Sequence, residues 1–320
     1  MIEYRTFRNP DPPGLAALWH ACRLGRGAID GLTPEILDAL VLSQPYFDPA
    51  GLVVAQDEQQ IVGFAHAGFA AAADESALNR ESGVICAALV HPEHRRRGIG
   101  RALVDRAEAY LRERGARDVH AGPSPGRDPF YVGLYGGVRP VGFLETDPDA
   151  GPFFEALGYR PVERHGVFER DTAETHDPMH FRLLTIRRNM QLAAAPAPES
   201  ASWWWFTRLG RLDSACFLLV PKQGGDPVAG ITAVGLELYL PKWQVHAAGV
   251  TELQVAAEHS RKGYGQALVL EVCRRLRQEA IGRLASHAPE SNAAAVSLLQ
   301  SVGFERVDTG LVYRRADAIR

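Results

Sequence analysis

A sixteen-residue pattern occurs twice in the chain, each time at the start of a helix-like segment. The first copy, VHPEHRRRGIGRALVD, occupies residues 90–105, and the second, VAAEHSRKGYGQALVL, occupies residues 255–270. Each copy follows an apolar run typical of a strand and leads into a stretch whose apolar residues recur every three or four positions. A strand–loop–helix unit repeated in this way favours two similar halves built on one plan.

The repeat extends beyond these two loops. Gly98 and Gly263 are 165 positions apart, and the same spacing relates the apolar positions of the two helices. Each half then carries another helix pattern that ends in glycine and an aromatic residue, at 158–159 and 303–304, which is typical of a helix C-cap followed by a strand. These second landmarks are 145 positions apart, so the first half holds 20 extra residues. We interpret the Gly- and Pro-rich stretch 122–142 as an inserted loop.

The loop between strand and helix has the composition of an anion site. Closely spaced glycines follow cationic residues in both copies, Arg95–Arg97 before Gly98 and Arg261–Lys262 before Gly263. The free N–H groups and the dipole of a helix N-terminus favour negative charge, and glycine allows the backbone to approach the anion closely. A phosphate is the expected ligand. Neither copy has the third glycine of a dinucleotide fingerprint or the Gly-Lys-Ser/Thr ending of a Walker A loop.

Composition and charge exclude other classes of function. The net charge of −3 provides no overall field for nucleic acid. No apolar run approaches the roughly 18 residues of a membrane helix, and the N-terminal residues do not form a signal peptide. We therefore expect a cytoplasmic protein that binds neither nucleic acid nor membrane. No metal site is expected, because the cysteines lack paired metal-ligand spacing; they are Cys22, Cys86, Cys216 and Cys273.

A length of 320 residues predicts about two domains. The polar segment 171–178 ends in proline and is the best boundary, which gives domains of residues 1–172 and 173–320. This choice leaves the second half with a leading strand near 180–186. The aromatic cluster at 203–206 is interpreted as core or interface packing, with an acceptor pocket as the alternative.

Together these motifs resemble those of the GNAT superfamily of N-acetyltransferases. The spacing Val-x4-Arg/Gln-x-x-Gly-x-Gly/Ala between strand and helix is similar to that family's acetyl-coenzyme A loop. Residues 292–304, NAAAVSLLQSVGF, are similar to its Asn-x-x-Ala-x-x-Leu-Tyr-x-x-x-Gly-Phe element. The order of strands and helices matches the family over most of both halves. The resemblance implies an α/β (α+β) fold of two tandem GNAT-like domains, each with a mixed, mostly antiparallel sheet flanked by helices.

The resemblance also implies a cofactor, acetyl-coenzyme A, and the residues that bind it. Its diphosphate is expected on the main-chain amides of the two loops. Its pantetheine arm is expected beside the preceding strand, bonded to the main chain like an added strand. The implied binding residues are Val90, Arg95, Arg96, Arg97, Gly98, Ile99, Gly100 and Arg101 in the first half, and Val255, Arg261, Lys262, Gly263, Tyr264, Gly265, Gln266 and Asn292 in the second.

Both halves depart from the family pattern. The first loop position is serine, Ser260, in the second copy, where the first copy has arginine. The family's asparagine is present as Asn292, but the first half has Asp147 in its place. The tyrosine that usually protonates the thiolate is replaced by Phe154 in one half and Leu299 in the other. Another group or water must supply this proton, or no acid is needed.

Transfer to an amine also needs a base that accepts the ammonium proton. The strand before the first loop offers no carboxylate between residues 83 and 90, whereas the second strand offers Glu252, three residues before Val255. Glu252 is therefore the predicted catalytic residue, although strand alternation leaves the direction of its side chain open. Glu237 and His246, on the neighbouring strand and loop, are the weaker candidates.

We expect an N-acetyltransferase that acts on a primary amine of a small-molecule or peptide acceptor, with catalysis in the second half. The first half is then expected to bind the cofactor tightly or structurally. A non-enzymatic coenzyme A-binding or sensing protein is the alternative, favoured by the missing tyrosines. Tyr131 and Tyr135 in the inserted loop are candidates for covering a substrate, with a plain surface loop as the alternative. Both a monomer and a homodimer are compatible with an internal tandem.

Overall fold

The structure is a computed structural model that describes residues 1–173, 177–178 and 181–315. The chain forms two compact units. Unit 1 comprises Met1–Arg164, Ser202–Arg208 and the described residues from Thr309 onward, and unit 2 comprises the described parts of His165–Ala201 and Leu209–Asp308. Both units are discontinuous in sequence, since each takes segments from the other half of the chain. The single division at 172/173 stays a prediction.

The described helices and strands are interspersed along the chain. In chain order they are β1 (Ile2–Thr6), α1 (Pro12–Cys22), α2 (Pro34–Leu37), β2 (Leu52–Asp57), β3 (Gln60–Ala71), β4 (Leu78–Val90), α3 (Ile99–Glu113), β5 (Asp118–Ala121), β6 (Phe143–Leu144), α4 (Ala150–Ala156), β7 (Tyr159–Asp171), α5 (Phe181–Asn189), β8 (Met190–Ala195), α6 (Trp203–Arg208), β9 (Ser214–Pro221), β10 (Ala229–Gly235), α7 (Leu240–Trp243), β11 (Ala247–Val255), α8 (Tyr264–Gln278), β12 (Arg283–Pro289), α9 (Ala293–Ser301) and β13 (Glu305–Arg315).

Unit 1 is built on a sheet in the order β1-β2-β3-β4-β5-β13, with β6 also paired to β13. Its recorded pairings are antiparallel except for β4 and β5, which run parallel. Helix α3 covers one face through a buried apolar stripe with helical spacing, and its members are Leu103, Val104, Ala107 and Leu111.

Unit 2 repeats this plan. The second part of β7 pairs with β12, and the order continues β12-β11-β10-β9-β8. Here too the described pairings are antiparallel except for one parallel pair, β11 and β12. Helix α8 covers its face of the sheet with an equivalent stripe, which includes Leu268, Val272 and Leu276. The predicted α/β fold, with a mixed and mostly antiparallel sheet flanked by helices, is confirmed for both units.

The predicted strand near 180–186 is wrong, because its described part, residues 181–186, lies in helix α5. The apolar residues Leu183 and Ile186 are three positions apart, which fits the period of a helix and not that of a strand. Both are buried in the same core as helix α8. The strand that begins the sheet of unit 2 is β8, which starts at Met190.

Candidate active site

The glycine loop of unit 1 exposes main-chain amides at the start of α3. The chain leaves β4 at Val90, and the helix begins at Ile99. Between them Arg96 and Gly98 have positive φ angles of 62° and 81°. Gly98 is the N-cap of α3 and provides no side-chain hydrogen bond to the first helical turn. Left-handed residues just before a right-handed helical turn form concavities in which N–H groups converge on an anion.

The loop of unit 2 has the same backbone. The chain leaves β11 at Val255 and enters α8 at Tyr264. Arg261 and Gly263 have positive φ angles of 57° and 89°, and Gly263 is an N-cap without a side-chain hydrogen bond. The two copies of the sequence pattern therefore fold into two copies of one loop, each with the geometry of an anion site.

The two glycines of each loop have different structural roles. A Cβ at Gly98 would meet no atom within 4 Å, so this position is glycine because of its positive φ and it leaves open space above the amides. A Cβ at Gly100 would lie 2.8 Å from the Phe153 ring, and one at Gly265 would lie 3.1 Å from Leu298. The second glycine thus allows α4 or α9 to pack closely on the loop helix. The open cradle at the first glycine fits a diphosphate.

The cationic residues of the loops are mostly exposed. Arg96 and Arg97 extend from the first loop, and Arg261 and Lys262 from the second. Arg101 is also exposed, and its guanidinium donates to the carbonyl of Ala156 at 3.1 Å. These exposed side chains can approach a phosphate without the desolvation cost of a buried charge.

Arg95, unlike these exposed residues, is bonded to other groups of unit 1. Its Nε donates to the carbonyl of Val90 at 3.1 Å, and its Nη1 lies 2.6 Å from Asp149. The Cys22 thiol also contacts the Val90 carbonyl, at 3.5 Å. The predicted cofactor residues Arg95 and Val90 are therefore brought together, but they bond to each other. Burial raises the pKa of the Cys22 thiol to about 11.

In unit 2, three further predicted residues lie around the loop. Tyr264 is half-buried and packs its ring edge-on against His259, with centroids 5.0 Å apart. The Gln266 amide lies 3.3 Å from the Ser301 hydroxyl. The Asn292 side-chain oxygen caps α9 by accepting from the amide of residue 295 at 3.1 Å, which leaves its NH₂ group directed away from that bond.

The strands separate beside each loop. In unit 1, β4 pairs with β5 only over Ser82–Ile85, and in unit 2, β11 pairs with β12 only over Ala247–Gly249. The rest of β4 and β11, residues 86–90 and 250–255, has no ladder partner on that side among the described pairings. We call each such separation a fork. An extended chain such as a pantetheine arm can add to an unpaired strand edge of this kind.

In unit 1 the inserted stretch 122–142 packs on the sheet beside the fork. Asp128, Phe130 and Tyr131 of this insert are all buried, so it is not a surface loop. The Phe130 ring stacks on the imidazole of His66 with centroids 4.1 Å apart, and the Tyr131 hydroxyl lies 3.1 Å from His66 Nδ1. Cys86, at the start of the unpaired part of β4, is also buried. Tyr131 thus packs against His66 of β3, and a role in covering a substrate stays a prediction.

The insert is fixed to the rest of unit 1 by polar bonds. The Asp128 carboxylate is 0% exposed and bonds Arg139 at 2.7 Å and Arg208 at 2.9 Å. The Tyr46 hydroxyl donates to the carbonyl of residue 129 at 2.9 Å. Arg208 belongs to α6, whose Trp204 and Trp205 are buried in the same unit. Of the aromatic cluster predicted as packing, Trp204 and Trp205 are thus buried in unit 1, whereas Trp203 and Phe206 are 36% and 53% exposed.

The buried histidine makes the stability of unit 1 dependent on pH. Burial lowers the pKa of His66 to about 3, whereas an unfolded histidine titrates near 6.5. Below pH 6.5 the unfolded chain takes up a proton that the folded protein does not, so stability falls as the pH falls toward 3. Between pH 7 and 4.5 we expect wild type to lose about 2–3 kcal/mol more than His66→Gln. Urea unfolding at both pH values measures this, and equal losses in the two proteins would contradict it.

The fork of unit 2 has no insert. Glu252 lies on it at a β-bulge, where Gly230 pairs with Gln254 but Thr232 pairs with Thr251. Its φ of 56° is unusual for a residue other than glycine, and such strain is often found at functional positions. The Glu252 side chain is half-buried. At the corresponding position, 165 residues earlier, unit 1 has the buried Ala87.

The bulge decides the direction of Glu252, which alternation left open. Burial raises the pKa of the Cys216 thiol, and the Glu252 carboxylate raises it further. Cys216 pairs with Thr232, while its neighbour Phe217 lies in the core under α8. Glu252 therefore lies near Cys216, whose side chain is on the sheet face opposite α8.

The weaker base candidates lie away from the fork. His246 Nδ1 is 2.9 Å from the Glu237 carboxylate, and both side chains are about half exposed, at 55% and 53%. His246 immediately precedes β11, six residues before Glu252, which corresponds to roughly 20 Å of extended strand. The structure brings Glu237 and His246 together as a hydrogen-bonded pair, apart from Glu252.

Neither unit has a hydroxyl where the resemblance implied a tyrosine. Phe154 and Leu299 are both buried core residues. One hydroxyl that sequence reasoning missed lies at the fork of unit 2: Ser286, 8% exposed, donates to the carbonyl of Val250 at 2.9 Å. A lone serine after an apolar run carries no signal that could have identified it.

Other site types have no support in the described part of the chain. No group of three His, Cys, Asp or Glu side chains suited to a metal ion occurs among the described residues. Over the same residues, no helix is both long and apolar enough to cross a membrane. All four cysteines are buried free thiols.

The chain was compared with known proteins. It matches the acetyltransferase (GNAT) family over residues 30–143 and 182–304. It is 36% identical to a mycothiol acetyltransferase of Propionibacterium freudenreichii subsp. shermanii over 115 residues, which are 35% of this chain and 35% of that protein. A mycothiol acetyltransferase of Saccharopolyspora erythraea is 24% identical over 82% of this chain and 84% of its own length.

A solved structure shares the tandem fold. A tandem GNAT protein from the clavulanic acid biosynthesis pathway superposes with a TM-score of 0.67 at 17% identity, over 98% of both chains. At this identity the likeness concerns the fold alone. The family match covers most of the chain and falls on both glycine loops. The chain therefore belongs to the GNAT family of acetyltransferases and carries the family's region twice, in tandem.

Proposed function

We propose that the protein is an acetyl-coenzyme A-dependent N-acetyltransferase that acetylates a primary amine, and that unit 2 is its catalytic unit. The assignment of catalysis to unit 2 rests on one observation. Its fork has no insert, and a half-buried carboxylate, Glu252, lies at a bulge beside the fork. Unit 1 has Ala87 there, and Phe130 and Tyr131 of its insert pack on His66, the cross-strand partner of Ala87. On this proposal unit 1 binds the cofactor without turning it over.

Different groups of unit 2 bind the cofactor, accept the proton and polarise the thioester. The N–H groups of residues 261–265, with Arg261 and Lys262, hold the diphosphate, and the free edge of β11 up to Val255 aligns the pantetheine arm. Bound acetyl-coenzyme A supplies the activated acetyl group. Glu252 accepts the proton of the attacking ammonium, directly or through water. Main-chain N–H groups near the fork polarise the thioester carbonyl.

The acceptor we propose is a small-molecule amine. Two relatives named mycothiol acetyltransferases support a small molecule over a peptide. The free thiols of the four cysteines support a reducing, cytoplasmic setting. With Phe154 and Leu299 in the tyrosine positions, we propose that water returns the proton to the thiolate. The protein works as a monomer or a homodimer, with two cofactor loops in each chain.

Replacing the proposed base tests the assignment. We expect Glu252→Gln to reduce kcat by roughly 10²–10⁴-fold, the usual contribution of a general base, and to leave coenzyme A binding unchanged. Thiol release from acetyl-coenzyme A against a panel of amines measures the rate, and calorimetry measures the binding. The matched control is Glu305→Gln, an exposed carboxylate of unit 2 at the start of β13.

A uniform rate in wild type, Glu252→Gln and Glu305→Gln would remove Glu252 from the mechanism. The pH profile adds a second readout: loss of the base should remove the acidic limb of the kcat/KM profile and not merely lower the rate.

The second candidate function is a coenzyme A sensor without turnover. The absence of a hydroxyl at both Phe154 and Leu299 favours it. The two candidates differ in one result. Coenzyme A binding without thiol release, across small amines, amino sugars and peptides, supports the sensor; release with any amine supports the enzyme.

A further inference from the structure

Helix α5 places the side chain of an arginine, Arg182, at the glycine loop of unit 2. The helix is fixed in the core of unit 2 by Leu183 and Ile186, both buried in the cluster that includes α8. Near its start, the Arg182 side chain lies against Gly263: its Cδ is 3.3 Å from the position that a Cβ on this glycine would occupy. The aliphatic part of Arg182 therefore packs on the N-cap of α8, within a side chain's length of the loop amides.

The charge of Arg182 is available to a ligand. The side chain is exposed and takes part in none of the ion pairs found among the described residues. Arg187, one turn further along the same helix, is instead paired with Glu271 at 3.3 Å. An arginine beside convergent N–H groups, with no carboxylate paired to it among the described residues, favours a phosphate ligand because its planar fork of donors matches phosphate oxygens.

The same loop lacks a cation that its counterpart has. Its first position is Ser260, where unit 1 has Arg95. Among the loop residues before the glycine, the remaining cations of unit 2 are Arg261 and Lys262. Arg182, which comes from a helix outside the sixteen-residue pattern, restores a third positive charge to this loop.

We propose that Arg182 binds the diphosphate of coenzyme A in unit 2. The proposal rests on the proposed function, in which the loop around Gly263 holds that diphosphate. Arg182 is then a binding residue contributed by α5, and α5 is part of the cofactor site as well as of the core.

The same contact makes an opposite result possible. A side chain that lies on Gly263 could block the loop, and its removal would then strengthen binding. The direction of the change in affinity distinguishes a ligand from an obstruction.

Calorimetric titration of the full-length protein with coenzyme A tests the proposal. The titrations use a Gly98→Glu background, so that only unit 2 binds. We expect Arg182→Gln to weaken binding roughly tenfold or more, the effect of one charge-assisted hydrogen bond, and Arg182→Lys to weaken it less. The matched control, Arg188→Gln, removes the same charge from the same exposed helix surface away from Gly263 and should bind within about twofold of the parent.

A second titrant identifies the phosphate. If Arg182 binds the diphosphate, Arg182→Gln weakens 3′-dephospho-coenzyme A as much as coenzyme A. A loss seen with coenzyme A alone would overturn the assignment to the diphosphate. Equal or tighter binding of coenzyme A by Arg182→Gln would overturn the proposal altogether. If instead the Gly98→Glu parent takes up no coenzyme A, the proposed function of unit 2 has failed, which is a different result.

Discussion

Gly263→Glu is expected to abolish coenzyme A binding by unit 2 and to lower acetyl transfer at least 100-fold. The residue has a φ of 89° and is the N-cap of α8, with no side-chain hydrogen bond to the first helical turn. Glutamate there strains the backbone and places a negative charge where the diphosphate would lie. The loss of a charged hydrogen-bonding site with added repulsion corresponds to about 3 kcal/mol or more, hence the 100-fold figure.

The other loop provides the matched control for this variant. Gly98 has a φ of 81° and the same role as N-cap in unit 1. We expect Gly98→Glu to remove coenzyme A from unit 1 and to leave turnover within about threefold of wild type. Thermal unfolding of both variants checks that each remains folded. Loss of turnover in Gly98→Glu together with normal turnover in Gly263→Glu would assign catalysis to unit 1.

Asp128→Ala is expected to lower the free energy of unfolding of unit 1 by about 3–5 kcal/mol, because it leaves buried arginines without their counter-charge. Asp128 is fully buried between Arg139 and Arg208, whose side chains are also nearly inaccessible, at 7% and 1% exposed. Removal of the carboxylate therefore costs more than the loss of one hydrogen bond.

Urea unfolding followed by tryptophan fluorescence measures this effect, since Trp19, Trp204 and Trp205 all lie in unit 1. The control is Glu81→Ala, which removes a carboxylate from the exposed pair with Arg117 and should change stability little. Equal effects of Asp128→Ala and Glu81→Ala would mean that the buried network does not hold the insert in place.

The parts of this fold that depend on local pattern could be predicted from the sequence. Each glycine loop was predicted to lead into a helix, and the structure begins these helices at Ile99 and Tyr264. The buried apolar stripes of these helices could be predicted because their residues recur every three or four positions. The backbone of both loops follows from glycine at the N-cap, which permits a positive φ.

Segment 180–186 shows where pattern reading failed. A short apolar run is ambiguous between strand and helix, and contact with α8 decides in favour of the helix through Leu183 and Ile186. The assembly of each unit from separate segments of the chain could not be predicted either, because strand partners far apart in sequence leave no local signal.

The parts of the site that could not be predicted depend on contacts between residues that are distant in sequence. Asp128 and Arg208 are 80 residues apart, and only the fold shows that they meet. The composition of the insert, rich in glycine and proline, is typical of a surface loop, yet Phe130 and Tyr131 are buried against His66 of the sheet. The direction of Glu252 depends on a bulge, which breaks the two-residue period on which strand reading relies.

A crystal structure of the protein with acetyl-coenzyme A tests the central claim most directly. The account predicts that the diphosphate lies on the main-chain N–H groups of residues 261–265, in contact with Arg182, and that the acetyl group ends at the fork beside Glu252. An acetyl-coenzyme A molecule bound productively in unit 1, with the insert displaced from His66 and the loop of unit 2 unliganded, would contradict it.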